Sequence, residues 1–114
     1  MKTDPFLEQR EEIIVLMDLY GKLLSPKQNK TLTSYFRYDL SLGEIAEEEN
    51  VSRAAVHDAL SKGVERLNEI ESDLGFAKRE RKLQRKVQAA LSESDPSKRI
   101  EALENLGKEI LHGI

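Results

Sequence analysis

Apolar residues recur along this chain at intervals of three and four, the spacing that stacks side chains on one face of an α-helix. Six helices are predicted. The first spans about Pro5 to Leu24, with Phe6, Ile13, Leu16, Met17, Tyr20, Leu23 and Leu24 in its stripe. Ile14, Val15 and Leu19 widen that stripe nearly all the way round. A helix apolar on most sides is central to the core or shared with a partner chain. The second begins at Ser25-Pro26-Lys27-Gln28, where Ser25 caps, Pro26 suits the first turn and Gln28 completes a capping box. Leu32, Tyr35 and Phe36 then face inward. The third begins at a second box, Ser41-Leu42-Gly43-Glu44, and carries Ile45 and Ala46. It ends near Glu49-Asn50, because Ser52 caps a new helix two residues later.

The fourth helix is long. Val56, Leu60, Gly63, Leu67, Ile70 and Leu74 alternate spacings of four and three, a heptad seam weakened by Gly63. Gly75 is placed to end it. The fifth covers roughly Phe76 to Leu91, with Leu83, Val87 and Leu91 inward. Ser92-Glu93-Ser94-Asp95-Pro96 stops that helix and starts the sixth, which carries Ile100, Leu103, Leu106 and Ile110 on one face. No segment alternates with period two, so no sheet is expected. The fold class is all-α, with a helix-turn-helix domain over residues 1–75 and a C-terminal helical hairpin over residues 76–114.

The third and fourth helices carry the most information. Glu44 to Val56 has the spacing of a helix-turn-helix. Ala46 sits where two crossing helices touch. Asn50 occupies the turn, where positive φ is needed and Asn is the most tolerant residue after Gly. Val51 is expected to plug the turn from beneath. Ser52 caps the long helix, and Val56 and Leu60 pack it onto the shorter one. An ordinary helical hairpin shares the caps, but not the combination of Ala46, Asn50, Val51 and Val56.

These residues, with Leu24-Ser25-Pro26-Lys27-Gln28 and Leu60, resemble region 4 of bacterial sigma factors. The layout is more closely similar to the YlxM family. Leu19-Tyr20-Gly21-Lys22-Leu23-Leu24-Ser25-Pro26-Lys27-Gln28, then Tyr35, then Asp39 to Ala46 follow that family's order. The resemblance covers about Phe6 to Leu74. Asn50 stands where the family often has Gly, and the tail beyond Leu74 matches no family motif. The resemblance implies a small helical protein that assists or regulates the signal recognition particle pathway. Its implied partners are nucleic acid (the particle's RNA, or DNA) or the particle's GTPase. A DNA-binding transcriptional regulator, and a protein–protein adaptor using the motif as a scaffold, are the alternatives.

Composition sharpens the picture. The 114 residues hold 18 Lys plus Arg against 21 Asp plus Glu, a net charge of −3, with no Cys and no Trp. One compact domain, or a small domain with an arm, fits that length. A disulfide scaffold is excluded, and indiscriminate coating of nucleic acid is not expected from this net charge. The longest apolar run, Ile13 to Met17, is far short of the roughly 20 residues that cross a bilayer. Met1 to Arg10 has no apolar signal region. A cytoplasmic protein without membrane insertion is expected.

The charges are segregated. Asp39, Glu44, Glu47, Glu48 and Glu49 form an acidic stretch, read either as a solvated face or as an obstacle to phosphate. The candidate contacts on the recognition helix are Ser52, Arg53, Ala54, Ala55, His57, Asp58, Ser61 and Lys62. Arg53 is the best base or phosphate contact. Ser52 and the helix N-terminus are suited to one phosphate. Lys78, Arg79, Arg81, Lys82, Arg85 and Lys86 form a second, basic stretch. Lys78, Lys82, Arg85 and Lys86 are expected to share one broad face, serving either to grip phosphates or to pair with nearby acids.

No catalytic constellation is visible. His57 and His112 are the only histidines. A metal site would need convergent carboxylates that the spacing does not suggest, and no phosphate-cradling glycine loop is present. No enzyme activity and no cofactor are expected. The apolar excess on the first helix and the seam from Leu60 to Leu74 predict a symmetric homodimer. A C-terminal hairpin folded back over both surfaces in a monomer is the alternative.

Overall fold

The structure, a computed structural model, describes residues 5–112; they form six α-helices and no strand. These are α1 (Arg10–Tyr20), α2 (Pro26–Phe36), α3 (Leu42–Glu49), α4 (Arg53–Leu74), α5 (Phe76–Leu91) and α6 (Pro96–Leu111). The chain divides into two compact units, Met1–Ala77 and Lys78–Ile114.

In the first unit α1, α2 and α3 all pack on α4. Ile13, Leu16 and Met17 of α1, Leu32 and Phe36 of α2, and Ile45 of α3 are buried against Val56, Leu60, Val64, Leu67 and Ile70 of α4. Each such aliphatic side chain contributes about 1.5–3 kcal/mol when fully buried. The local starts follow the capping residues. Gln28 N–H donates to Ser25 Oγ at 3.1 Å, Glu44 N–H to Ser41 Oγ at 3.0 Å, and Ala55 N–H to Ser52 Oγ at 3.0 Å. Gly63 is required by packing, because a Cβ there would lie 2.4 Å from Leu32 Cδ1.

Several expectations need correction. The first helix does not run from Pro5 to Leu24. It is α1 alone, flanked by 3₁₀ turns at Leu7–Gln9 and Gly21–Leu23. The amide of Asn29 donates to the Gly21 carbonyl at 2.7 Å, taking an acceptor that a continuing helix would have used. Val51 does not plug the turn. Its side chain is 41% exposed, and its N–H closes the turn by donating to the Ala46 carbonyl at 3.0 Å. The seam of α4 is not a free dimer surface either. Leu60, Gly63, Leu67 and Ile70 are buried inside the first unit, and only Leu74 at its end is exposed.

The second unit is the hairpin of α6 and of α5 from Lys78 onward; the first two residues of α5 belong to the first unit. Asp95 accepts from Ser97 N–H at 2.9 Å, and Pro96 occupies the first turn of α6. Lys86 Nζ meets Glu109 Oε1 at 2.6 Å across the two helices. Ala90 is the only buried hydrophobic residue described in this unit. Leu91 is expected to face inward but is 58% exposed; its neighbour Ala90 is buried in its place.

Candidate nucleic-acid interface

The turn between α3 and α4 is built by backbone geometry. Asn50 adopts φ 55° and ψ 49°, the left-handed conformation that its position demands. Its N–H and that of Val51 donate back to the last turn of α3. The chain then reverses, and Ser52 opens α4 with its hydroxyl facing the Ala55 N–H. Three residues meet at this end: Ser52, Arg53 and Ala54, all exposed. Their neighbour Ala55 is exposed as well. Two alanines leave the helix end sterically open.

Arg53 reaches back across the turn. Its guanidinium lies over Gly43 in the first turn of α3, where a Cβ would come within 2.9 Å of Nη2. Among the described residues it has no ion-pair or hydrogen-bond partner. It lines one side of a cleft of about 410 Å³ with Arg10, Tyr35, Asp39, Leu42 and Glu44.

The rest of the expected recognition surface is narrower than the list of candidates. His57 stacks on Phe6 with ring centroids 5.8 Å apart. Ser61 is half-buried and lies beside Phe6 and Val64. Lys62 is tied to Asp58 at 3.0 Å on the exposed face of α4. The structure therefore brings Ser52, Arg53 and Ala54 together and directs His57 and Ser61 toward the N-terminal segment.

The acidic stretch does not act as one face. Asp39 is paired with Arg10, the Glu44 carboxylate accepts from Ser41 N–H at 3.0 Å, and Glu49 accepts from the Thr31 hydroxyl at 3.2 Å. Glu47 and Glu48 are exposed. Arg10 was not singled out by its sequence position. Its guanidinium donates to the carbonyls of Tyr35 and Phe36 at 3.1 and 3.2 Å and lies over both rings. It thereby fixes the α2–α3 turn from which α3 departs. An Arg that directly follows Glu8 and Gln9 carries no sequence signal for such a clamp; only the fold brings residue 10 to residue 35.

In the second unit the basic residues of α5 do not form the single face expected. Lys86 turns inward to Glu109. Lys78, Arg81, Lys82 and Arg85 are exposed, and at about 100° per residue they fall on one side of the helix. Lys82 and Arg85 have no ion-pair partner among the described residues. Among those residues no group of His, Cys, Asp and Glu is placed to hold a metal, and no helix is long and apolar enough to cross a membrane.

A family model described as "Putative helix-turn-helix protein, YlxM / p13 like" matches residues 7–106. The chain belongs to this family, UPF0122. The UPF0122 match runs past Leu74 into α6, so the C-terminal hairpin is part of the family pattern and not an unrelated tail. The chain is 39% identical over 104 residues to a UPF0122 protein of Exiguobacterium sp., covering 88% of this chain and 97% of that relative. It is 38% identical over 102 residues to one of Symbiobacterium thermophilum, covering 87% and 95%. A relative from Malacoplasma penetrans is 46% identical over 65 residues, 57% of this chain and 61% of that relative.

Proposed function

We propose that this helix-turn-helix protein binds nucleic acid through the N-terminal end of α4, as a cytoplasmic homodimer. The observation that carries the reading is Arg53, a guanidinium with no ion-pair or hydrogen-bond partner among the described residues, beside the capped, sterically open start of the long helix. Helix N-termini present N–H groups and a partial positive charge to phosphate, and Arg adds a planar fork for phosphate or guanine. The YlxM likeness supports a place in the signal recognition particle pathway, as an accessory or regulatory factor acting on the particle's RNA, on DNA or on its GTPase. It suggests no catalytic role.

The test is binding to duplex DNA and to structured RNA over a series of salt concentrations, with wild type and Arg53→Glu. Wild type is expected to bind with a steep salt dependence that Arg53→Glu reduces together with affinity. Unchanged affinity and slope in Arg53→Glu would remove α4 from the interface. Pull-down with and without nuclease separates the classes. A protein partner retained after nuclease supports the adaptor alternative instead.

A second reading has its own observation. Lys82 and Arg85 lie on the exposed basic side of α5, where they would follow a phosphate backbone without reading bases. Lys82→Glu with Arg85→Glu should then weaken binding to all sequences alike.

A further inference from the structure

We propose that the apolar face of the α5–α6 hairpin is a self-association surface, occupied by the same face of a second copy to form a four-helix bundle. The proposal rests on the homodimer in the reading above and names its surface.

The hairpin has no core of its own. Leu83, Val87 and Leu91 follow one another at intervals of four on α5, and Ile100, Leu103, Leu106 and Ile110 at three, three and four on α6. None of them is buried. Leu91 is 58% exposed, Ile100 57%, Leu103 37% and Ile110 53%, and Leu111 beside them is 85% exposed. A helix pair with one apolar side becomes stable only when a second layer covers it, and a unit of fewer than about 40 residues rarely supplies that layer itself.

Area and charge favour a second copy. Those five side chains leave roughly 500 Å² of apolar surface, at the upper end for the largest patch on a monomer. Pairing two identical faces removes about twice that, reaching the ~1,000 Å² that a specific interface must clear. The face is suited to a two-fold axis, because two antiparallel rows of Leu and Ile interdigitate with an identical pair. The basic residues Lys78, Lys82 and Arg85 lie about 180° around α5 from Val87 at 100° per residue. Pairing through the apolar rows therefore keeps like charges apart and leaves both basic rows outward. The ion pair across the hairpin, Lys86 with Glu109, is already satisfied within a single copy.

The test uses the full chain. Sedimentation over a range of concentrations should give a species of twice the 13.0 kDa of one chain. Leu103→Asp with Ile110→Asp should give 13.0 kDa at every concentration. Because the chain has no Cys, Leu103→Cys alone should form a disulfide-linked dimer on oxidation, a readout that does not require a disruptive substitution. Wild type at 13.0 kDa throughout, or a dimer that survives both Asp substitutions, would overturn the proposal. So would cross-linking through Val15→Cys on α1 but not through Leu103→Cys. A dimer that binds no nucleic acid would sink the functional reading and leave this one standing. A nucleic-acid-binding monomer would overturn this proposal and the homodimer, and leave binding through α4 standing.

Discussion

The Tyr20 hydroxyl of α1 donates to the Glu71 carboxylate near the end of α4 at 2.6 Å, joining residues 51 apart in sequence. The pair also caps α5. Glu71 Oε1 accepts from Ala77 N–H at 3.0 Å, and the Tyr20 oxygen accepts from Phe76 N–H at 3.2 Å. Helix α5 begins directly after Gly75, too soon for a capping side chain of its own, so two distant residues satisfy its first N–H groups. Tyr20→Phe removes one partner from a carboxylate and one from an N–H. It should cost about 1–3 kcal/mol, read as a lower urea midpoint at unchanged m.

The same pair predicts a pH dependence. Burial first, and then the hydrogen bond to Glu71, raise the Tyr20 pKa above its ordinary 10.0. The folded protein thus holds this proton more tightly than the unfolded chain. The contribution is whole below pH 10 and is lost as pH rises through the folded value. Wild type should therefore lose stability more steeply than Tyr20→Phe above pH 10, and the gap between them should narrow. Parallel losses would show that the hydroxyl titrates as it does in the unfolded chain.

Gly63 lets α2 approach α4. Alanine there would gain up to about 1 kcal/mol of helix propensity, but its Cβ would meet Leu32, which is fully buried. Overpacking costs more, about 1–3 kcal/mol, so Gly63→Ala should lower the melting temperature. Leu32→Ala in the same chain makes room for the added methyl. The double variant should be more stable than the sum of its single effects, by about 0.5 kcal/mol or more in a double-mutant cycle.

What was readable in the sequence is largely local. Ser25, Ser41, Ser52 and Asp95 cap as their neighbours dictate, and Asn50 takes the left-handed turn that the helix-turn-helix spacing requires. Such contacts lie within a few residues, so pattern reveals them. Arg10 on the carbonyls of Tyr35 and Phe36, Tyr20 on Glu71 and Lys86 on Glu109 depend on how helices are laid against one another. Periodicity marks Tyr20 only as a core residue and Lys86 only as one cation among six. The α4 seam was legible as apolar, yet nothing in its spacing tells whether α1 and α2 or a second chain covers it. At the interface, Arg53 is evident from its place after the cap. Its position over Gly43 is not, because that depends on the angle between α3 and α4.

Asn50 offers a test of the turn that is independent of binding. Its φ of 55° costs a residue with a Cβ roughly 1–2 kcal/mol, less for Asn than for others and nothing for Gly. Asn50→Gly should hold or slightly raise stability to denaturant, and Asn50→Ala should lower it by about 1 kcal/mol. Equal stability of all three would mean that the turn relaxes out of the left-handed region.

The contact between Arg53 and Gly43 leads to a prediction about binding rather than folding. Gly43 is half-buried, and the nearest atoms to a methyl added there are those of the Arg53 guanidinium, with Nη2 at 2.9 Å. Arg53 would have to swing away from α3. If its present pose is the one that meets phosphate, Gly43→Ala should weaken binding while Arg53 still carries its charge. Arg53→Ala should remove one phosphate contact outright and lower the log–log salt slope on duplex DNA by about 0.9. Combining the two should weaken binding no further than Arg53→Ala alone, because the methyl acts only through the side chain it displaces. An additive loss in the double variant would assign Gly43 a contact of its own.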